Sequence, residues 1–198
     1  MKLLYSPTSP YVRKVRVLAL ERGLADRIEL VSVSPWPDPA AIVRDNPLGK
    51  VPVLLTDDGT ALYDSPVICE YLDQIGPRPA LLPAIGAARW RVLRAQALAD
   101  GILDAAVAVV LEQRRPEQER SRMSQQRALD AIHRSVAALA TELKSPQDFD
   151  LGQIALAVAL GYLDFRLPDT DFGAGQPSIR DWWATVGGRP SLVATRPA

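Results

Sequence analysis

A stiff stretch, Gly76-Pro77-Arg78-Pro79, divides this chain into two parts of unlike periodicity. Proline fixes φ and has no N–H to donate, so such a stretch ends regular structure rather than continuing it. Upstream, short apolar runs alternate with turn residues. Residues 2–5, 28–33 and 51–55 read as strands, and the turn Asp57-Asp58-Gly59 leads into Ala61-Leu62-Tyr63 as a β-hairpin. Between the first two strands, Val12, Val15, Leu18 and Ala19 recur at helical spacing and Gly23 supplies a stop. Residues 65–75 repeat the pattern with Val67, Ile68, Tyr71 and Leu72. The order is β-α-β-(short helix)-β-β-α. A helix joins the first two strands, so they are expected to run parallel.

Downstream the period changes. Residues 87–114 and 116–143 are long and rich in Ala, Leu, Arg, Gln and Glu, which favour helix. Residues 150–165 are apolar on nearly every side and are expected at the buried centre of a helical bundle. Residues 178–186 make a last short helix, and no strand signal follows Tyr63. The expected organisation is an α/β domain over 1–76, a linker over 77–85 and an all-helical domain over 86–198.

Composition excludes several classes of function. The 198 residues carry 23 Lys+Arg and 23 Asp+Glu, a formal net charge of +0, with no basic excess for nucleic acid. Residues 1–76 hold 8 basic and 10 acidic side chains, a net −2, and 77–198 hold 15 and 13, a net +2. Neither part offers a strong steering field. No apolar run approaches the ~20 residues of a membrane span, and no secretory apolar region is expected at the start. A cytoplasmic location follows as an expectation. One cysteine, Cys69, rules out an internal disulfide and a cysteine-based zinc site, and one histidine, His133, leaves little for a His-centred triad or metal site.

Three short stretches could carry chemistry. In Tyr5-Ser6-Pro7-Thr8-Ser9-Pro10 a strand ends and a helix opens, with Ser9 suited to the N-cap and Pro10 to the first helical position. Such a helix end can stabilise an anion, including a thiolate. The competing reading is a serine that only caps, and Arg13, Lys14 and Arg16 beyond it read as a solvated face. In Asn46-Pro47-Leu48-Gly49-Lys50-Val51-Pro52-Val53 a proline is the second residue of a strand, where it cannot join the ladder. Either the Val51–Pro52 bond is cis and Val51 turns outward to pair with an extended ligand, or this is an edge strand with a trans proline. Asp64-Ser65-Pro66-Val67-Ile68 again opens a helix after a strand, and Asp64 with Ser65 suits the zwitterionic end of an amino acid. Asp150-Leu151-Gly152-Gln153 has the form of a capping box and belongs to folding, as does Ser178-Ile179-Arg180-Asp181.

Taken in order, these pieces resemble the cytosolic glutathione S-transferase family over essentially the whole chain. Leu48-Gly49-Lys50-Val51-Pro52-Val53-Leu54 and Asp64-Ser65 with Ile68 are the most specific of them, supported by Asp150-Leu151-Gly152-Gln153-Ile154-Ala155. Tyr162-Leu163-Asp164-Phe165-Arg166 looks like a bacterial subgroup, here of serine type. The resemblance implies a thioredoxin-like first domain, an all-helical second domain, a homodimer, and a detoxifying transferase acting on glutathione and a small hydrophobic electrophile, with no metal. It implies Ser9 as the hydrogen-bond donor to the glutathione sulfur, with Ser6, Thr8 and Tyr5 as rivals. Lys50 matches a residue near the glycyl carboxylate, Val51 the backbone group that pairs with the cysteinyl part before Pro52, and Asp64 and Ser65 the pair that binds the γ-glutamyl end. Tyr11, Trp36 and Trp90 are candidate walls for the electrophile, and Cys69, inside the second helix of the first half, is expected to pack rather than act as a nucleophile. A glutathione-dependent reductase, peroxidase or isomerase, or a binding module without turnover, are the other activities of that resemblance.

Overall fold

The apolar runs at the start of the chain pair into one sheet in a computed structural model, which describes residues 1–36, 39–173 and 175–197. The strands are β1 (Lys2–Tyr5), β2 (Glu29–Ser32), β3 (Val53–Leu55) and β4 (Ala61–Leu62), in the order β2-β1-β3-β4. β1 and β2 are parallel, as a helical connection requires, while β3 is antiparallel to both of its neighbours. This is a thioredoxin-like arrangement. Side chains alternate between the faces of a strand. Leu4, Val31 and Val53 stand side by side in register and share one face. There Leu4 and Val53 pack with Ile42 of α2 (Ala40–Val43). Leu3 and Leu54 point to the other face and are equally buried, so the central strands are covered on both sides.

Helix α1 (Pro10–Glu21) packs on α3 (Ser65–Ile75) through its apolar stripe. It ends in paired reverse bonds, Leu24 N–H to Ala19 O at 2.8 Å and Gly23 N–H to Leu20 O at 3.1 Å. Arg22, at that end, is 4% exposed. Its Nε lies 2.9 Å from Asp73 Oδ1, its Nη2 donates to Asp73 O at 3.0 Å and its Nη1 to Pro79 O. The Asp73 carboxylate also accepts the N–H groups of Leu81 and Leu82, each at 2.9 Å. One buried ion pair therefore holds the ends of two helices and the segment that follows them.

Two compact units result, Met1–Pro83 with Pro190–Ala198, and Ala84–Arg189. This differs from the division expected at 76 and 86 in two ways. The proline-rich segment belongs to the first unit, because Asp73 takes up its amides. So does the end of the chain, where α8 (Pro190–Val193) lies on α1. Ser191 Oγ donates to Glu21 Oε1 at 2.5 Å and Arg13 Nη2 to Leu192 O at 3.1 Å.

The second unit holds α4 (Gly86–Gln113), α5 (Arg122–Leu139), α6 (Leu151–Arg166) and α7 (Pro177–Val186). As its composition predicts, α6 is buried from Leu151 to Leu163. A Cβ at Gly152 would sit 3.0 Å from Ala95 Cβ and 3.1 Å from Val92 O, so glycine permits the close approach of α4. Only half of the capping box forms. Asp150 accepts from Gln153 N at 3.0 Å, but the Gln153 amide donates to Glu142 O and accepts from Lys144 N, binding the preceding turn to α6. The continuous helix expected over 116–143 is broken, with a 3-10 turn at Glu117–Glu119 and a fresh start where Ser121 caps α5. Ser178 does not cap α7, which starts at Pro177. Trp182 and Trp183 anchor α7 by donating to Lys144 O and Asp164 Oδ2. Cys69 has no exposed surface, and exposed His133 stacks its ring 4.9 Å from that of Phe172.

Among the described residues no helix is long and apolar enough to cross a membrane, and no three His, Cys, Asp or Glu gather as metal ligands. Removing one partner of a buried ion pair strands the other, at a cost of about 3–5 kcal/mol. Asp73→Ala should lose stability on that scale in urea unfolding. Arg94→Ala, whose partner Glu142 is paired by a guanidinium 69% exposed, should lose less than about 1 kcal/mol. Equal small losses would contradict the role given to Asp73.

Candidate functional site

The loop after β1 delivers Ser9 to the start of α1 in extended conformation, φ −77° and ψ 122°. Its amide donates to Ser6 O at 3.1 Å, and its Oγ accepts the Val12 N–H at 3.3 Å. The capping role read from the sequence is therefore real. It does not exhaust the side chain. A hydroxyl that accepts in a cap still has its hydrogen to give, and that hydrogen has no acceptor among the described residues. Ser9 is half-buried. Of the rivals, Ser6, Thr8 and Tyr5 are also half-buried, but the Tyr5 ring is covered by the Arg16 guanidinium at 5.9 Å.

The second segment is built around Asn46, which is 2% exposed. Its Oδ1 accepts Leu48 N–H at 3.0 Å and its Nδ2 donates to Lys50 O at 2.8 Å. Gly49 closes this turn at φ +62°, and a Cβ there would come 3.2 Å from Pro39 Cβ. The chain then passes Val51–Pro52 through a cis bond into β3. Val51 lies two residues before Val53, the first residue of the ladder. Lys50 is exposed, Val51 half-buried and Pro52 buried.

The third segment leaves β4 through a cis Tyr63–Asp64 bond into α3. Here the parallel with Ser9-Pro10 fails. Ser65 is inside the helix, not its cap; Asp64 is the cap residue, and its carboxylate makes no capping bond. Asp64 is exposed and Ser65 is 2% exposed.

The register brings these segments together. Leu4 of β1 pairs with Val53 of β3, and Leu54 of β3 pairs with Leu62 of β4. The exit of β1, the entry of β3 and the exit of β4 therefore share one end of the sheet. Adjacent strands lie about 4.8 Å apart, so the three openings span about 10 Å. Lys50, Val51, Pro52, Asp64 and Ser65 enter or leave the sheet beside β1, the strand whose exit loop leads to Ser9.

The GST-like protein YibF of Escherichia coli (strain K12) is 37% identical over 201 residues, spanning 100% of this chain and 98% of that protein. The chain belongs to the glutathione S-transferase family. The glutathione S-transferase N-terminal domain family matches residues 8–75, the stretch that holds all three segments. A glutathione transferase family member from Pseudomonas fluorescens Pf-5, solved with bound glutathione, superposes with a TM-score of 0.93 at 42% identity, covering 100% of this chain and 98% of that one. A structure of a family member from the same organism with bound S-(propanoic acid)-glutathione gives 0.90 at 41%, covering 100% of each chain. Both are similar to this chain over its whole length.

Two features of the site escaped the sequence reading. Asn46 looked like a turn residue only; its position before Pro47, two residues from an amide it can accept, is the pattern of an Asx turn. Arg13 and Lys14 are not a solvated face, being 8% and 0% exposed. Nothing in the helical spacing distinguishes a buried cation from an exposed one. Trp36 and Trp90, offered as walls for an electrophile, are 62% and 66% exposed. Asn46→Ala removes two hydrogen bonds from a buried turn and should cost about 1–3 kcal/mol in thermal or urea unfolding. Asn46→Asp, which keeps the acceptor to Leu48, should retain part of it. No loss in either would contradict the clamp.

Proposed function

We propose that the chain is a glutathione transferase in which the Ser9 hydroxyl donates to the glutathione sulfur. The observation that carries this reading is the convergence of the Ser9, Val51 and Asp64-Ser65 segments at one end of the sheet, within a family whose members from Pseudomonas fluorescens are held with glutathione and a sulfur-substituted glutathione. A chain extends by about 3.3–3.6 Å per residue, so a tripeptide covers about 10 Å, the width of three adjacent strand ends.

Each end of the ligand then has a partner. The sulfur lies at Ser9, where the cap leaves a hydroxyl hydrogen to give and the start of α1 adds its positive dipole end. The cysteinyl backbone pairs with Val51, beyond the sheet ladder and before Pro52. Lys50 attracts the glycyl carboxylate. Ser65 and the uncommitted carboxylate of Asp64 receive the γ-glutamyl carboxylate and ammonium. Asn46 acts through its neighbours, fixing the Lys50 carbonyl and with it the path into Val51.

The chemistry follows from the thiol. Free, its pKa of ~8.5 leaves only a few per cent as thiolate at neutral pH. A hydrogen bond to the charged form and the helix end lower it by roughly one to two units, at ~1.4 kcal/mol each. The thiolate attacks an electrophilic carbon, a C–S bond forms, and the displaced group leaves with the bonding pair. Glutathione and a small electrophile are the two substrates, and a homodimer belongs to the same reading.

Ser9→Ala separates binding from activation. Titrating the thiolate absorbance of bound glutathione should give a pKa higher by about one unit. With an aryl halide, kcat/KM at pH 6.5 should fall 10- to 100-fold while the glutathione Kd changes less than about threefold. An unchanged titration would remove Ser9 as the donor.

A further inference from the structure

The stripe of α1 that begins at Ser9 continues through Arg13 and Arg16, at i+4 and i+7, which share one helix face. Long helical side chains lean toward the N-terminus of their helix. The Arg16 guanidinium accordingly reaches the Tyr5 ring at the end of β1, the strand that leads to Ser9. A third guanidinium joins them. Arg13 holds Leu192 O of the chain end, and the backbone bonds from Ala194 to Pro190 O and from Arg196 to Val193 O continue the helical path. Arg196 thus stands one turn beyond Leu192, on the same side.

Among the described residues two arginines are buried, Arg13 and Arg22, and only Arg22 has a carboxylate beside it. Arg22, Arg44, Arg94 and Arg115 each have a carboxylate partner. Arg13, Arg16 and Arg196 have none among the described residues, and α1 has no acid in its first turn. Arg13 is 8% exposed, and its Nε is buried with no hydrogen-bond partner. Burial, then Arg196 and Arg16, push its pKa down to about 10, so it remains a cation at neutral pH. A buried cation without an anion is costly. An anion held by half-buried Arg16 and exposed Arg196, the two cations that act on Arg13, relieves that cost.

We propose that Arg16 and Arg196, backed by Arg13, bind a carboxylate carried by the electrophile, so that the second substrate of this enzyme is an organic acid. The proposal rests on the glutathione reading. There the tripeptide's own carboxylates lie toward β3 and β4, at Lys50 and Ser65. The stripe along α1 leads away from them, and the group that extends in its direction is the one joined to sulfur. This replaces the plain hydrophobic electrophile expected from the sequence.

Binding of two conjugates to the full chain tests it: S-(2-carboxyethyl)glutathione and S-propylglutathione, which differ in that one carboxylate. The acid should bind at least tenfold more tightly. In Arg16→Gln, in Arg196→Gln and in the double variant the ratio should fall toward one. Equal affinities in the parent chain, or a preference that survives the double variant, overturn the proposal. Succinate alone supplies an arm independent of glutathione. It should raise the melting temperature of the parent and not of the double variant, and protection that ignores both arginines overturns the anion site. If neither conjugate binds while succinate protects through these arginines, the glutathione reading is what fails.

Discussion

The candidate site depends on the direction in which β3 runs against β1. Because that pair is antiparallel, the strand that ends before Ser9 meets the strand that begins after Val51, and the return through β4 brings Asp64 and Ser65 to the same end. A parallel β3 would put Val51 at the far end of the sheet. Antiparallel pairing with a two-strand return is thus what turns three stretches separated by tens of residues into one place about 10 Å wide. The cis bond before Pro52 and the turn clamped by Asn46 complete the approach to β3.

Fixing the openings requires a fixed α1. Its first turn is capped by Ser9, its last is tied to α3 by the buried Arg22–Asp73 pair, and its flank is covered by α8. The pair at the far end is the more expensive arrangement. Both ions are nearly inaccessible, and the Asp73 carboxylate is satisfied by Arg22 and by two backbone amides. Such a cluster specifies where the chain goes after α3, while burial of Val15, Leu18, Ile68 and Leu72 supplies the hydrophobic stabilisation around it. At the other end Ser9 has two hydrogen-bonding capacities and the fold uses one. A cap is the reason the residue is held in place, and the unspent hydrogen is the reason it can act.

Much of the fold was legible because local signals agreed. Residues 2–5 and 65–75 were read with the bounds they have, and α6 was recognised as central from its unbroken apolar surface. Other features depend on contacts that no local pattern carries. β3 is shorter than the apolar run 51–55, since Pro52 has no N–H for a ladder and Val51 precedes it. The break before α5 hides in Glu, Gln and Arg, all good helix formers; it is set by Ser121, whose amide reaches Glu112 Oε1 at 2.6 Å and whose Oγ caps the new helix. α8 has four residues, too few to nucleate alone, and it exists on α1 through Arg13 and Glu21. The three segments of the site were visible as motifs. Their convergence was not, because sequence spacing says nothing of register. The burial of Arg13 and Lys14 was hidden for a related reason: a cation among apolar residues looks like the outer face of an amphipathic helix.

Hydrogen–deuterium exchange of the full chain with and without saturating glutathione tests the shared strand-end site most directly. Slower exchange in the peptides covering residues 6–13, 46–53 and 62–68 together, with the rest of the chain unchanged, is the predicted result. Protection confined to one of the three, or appearing in residues 84–189 alone, would contradict it.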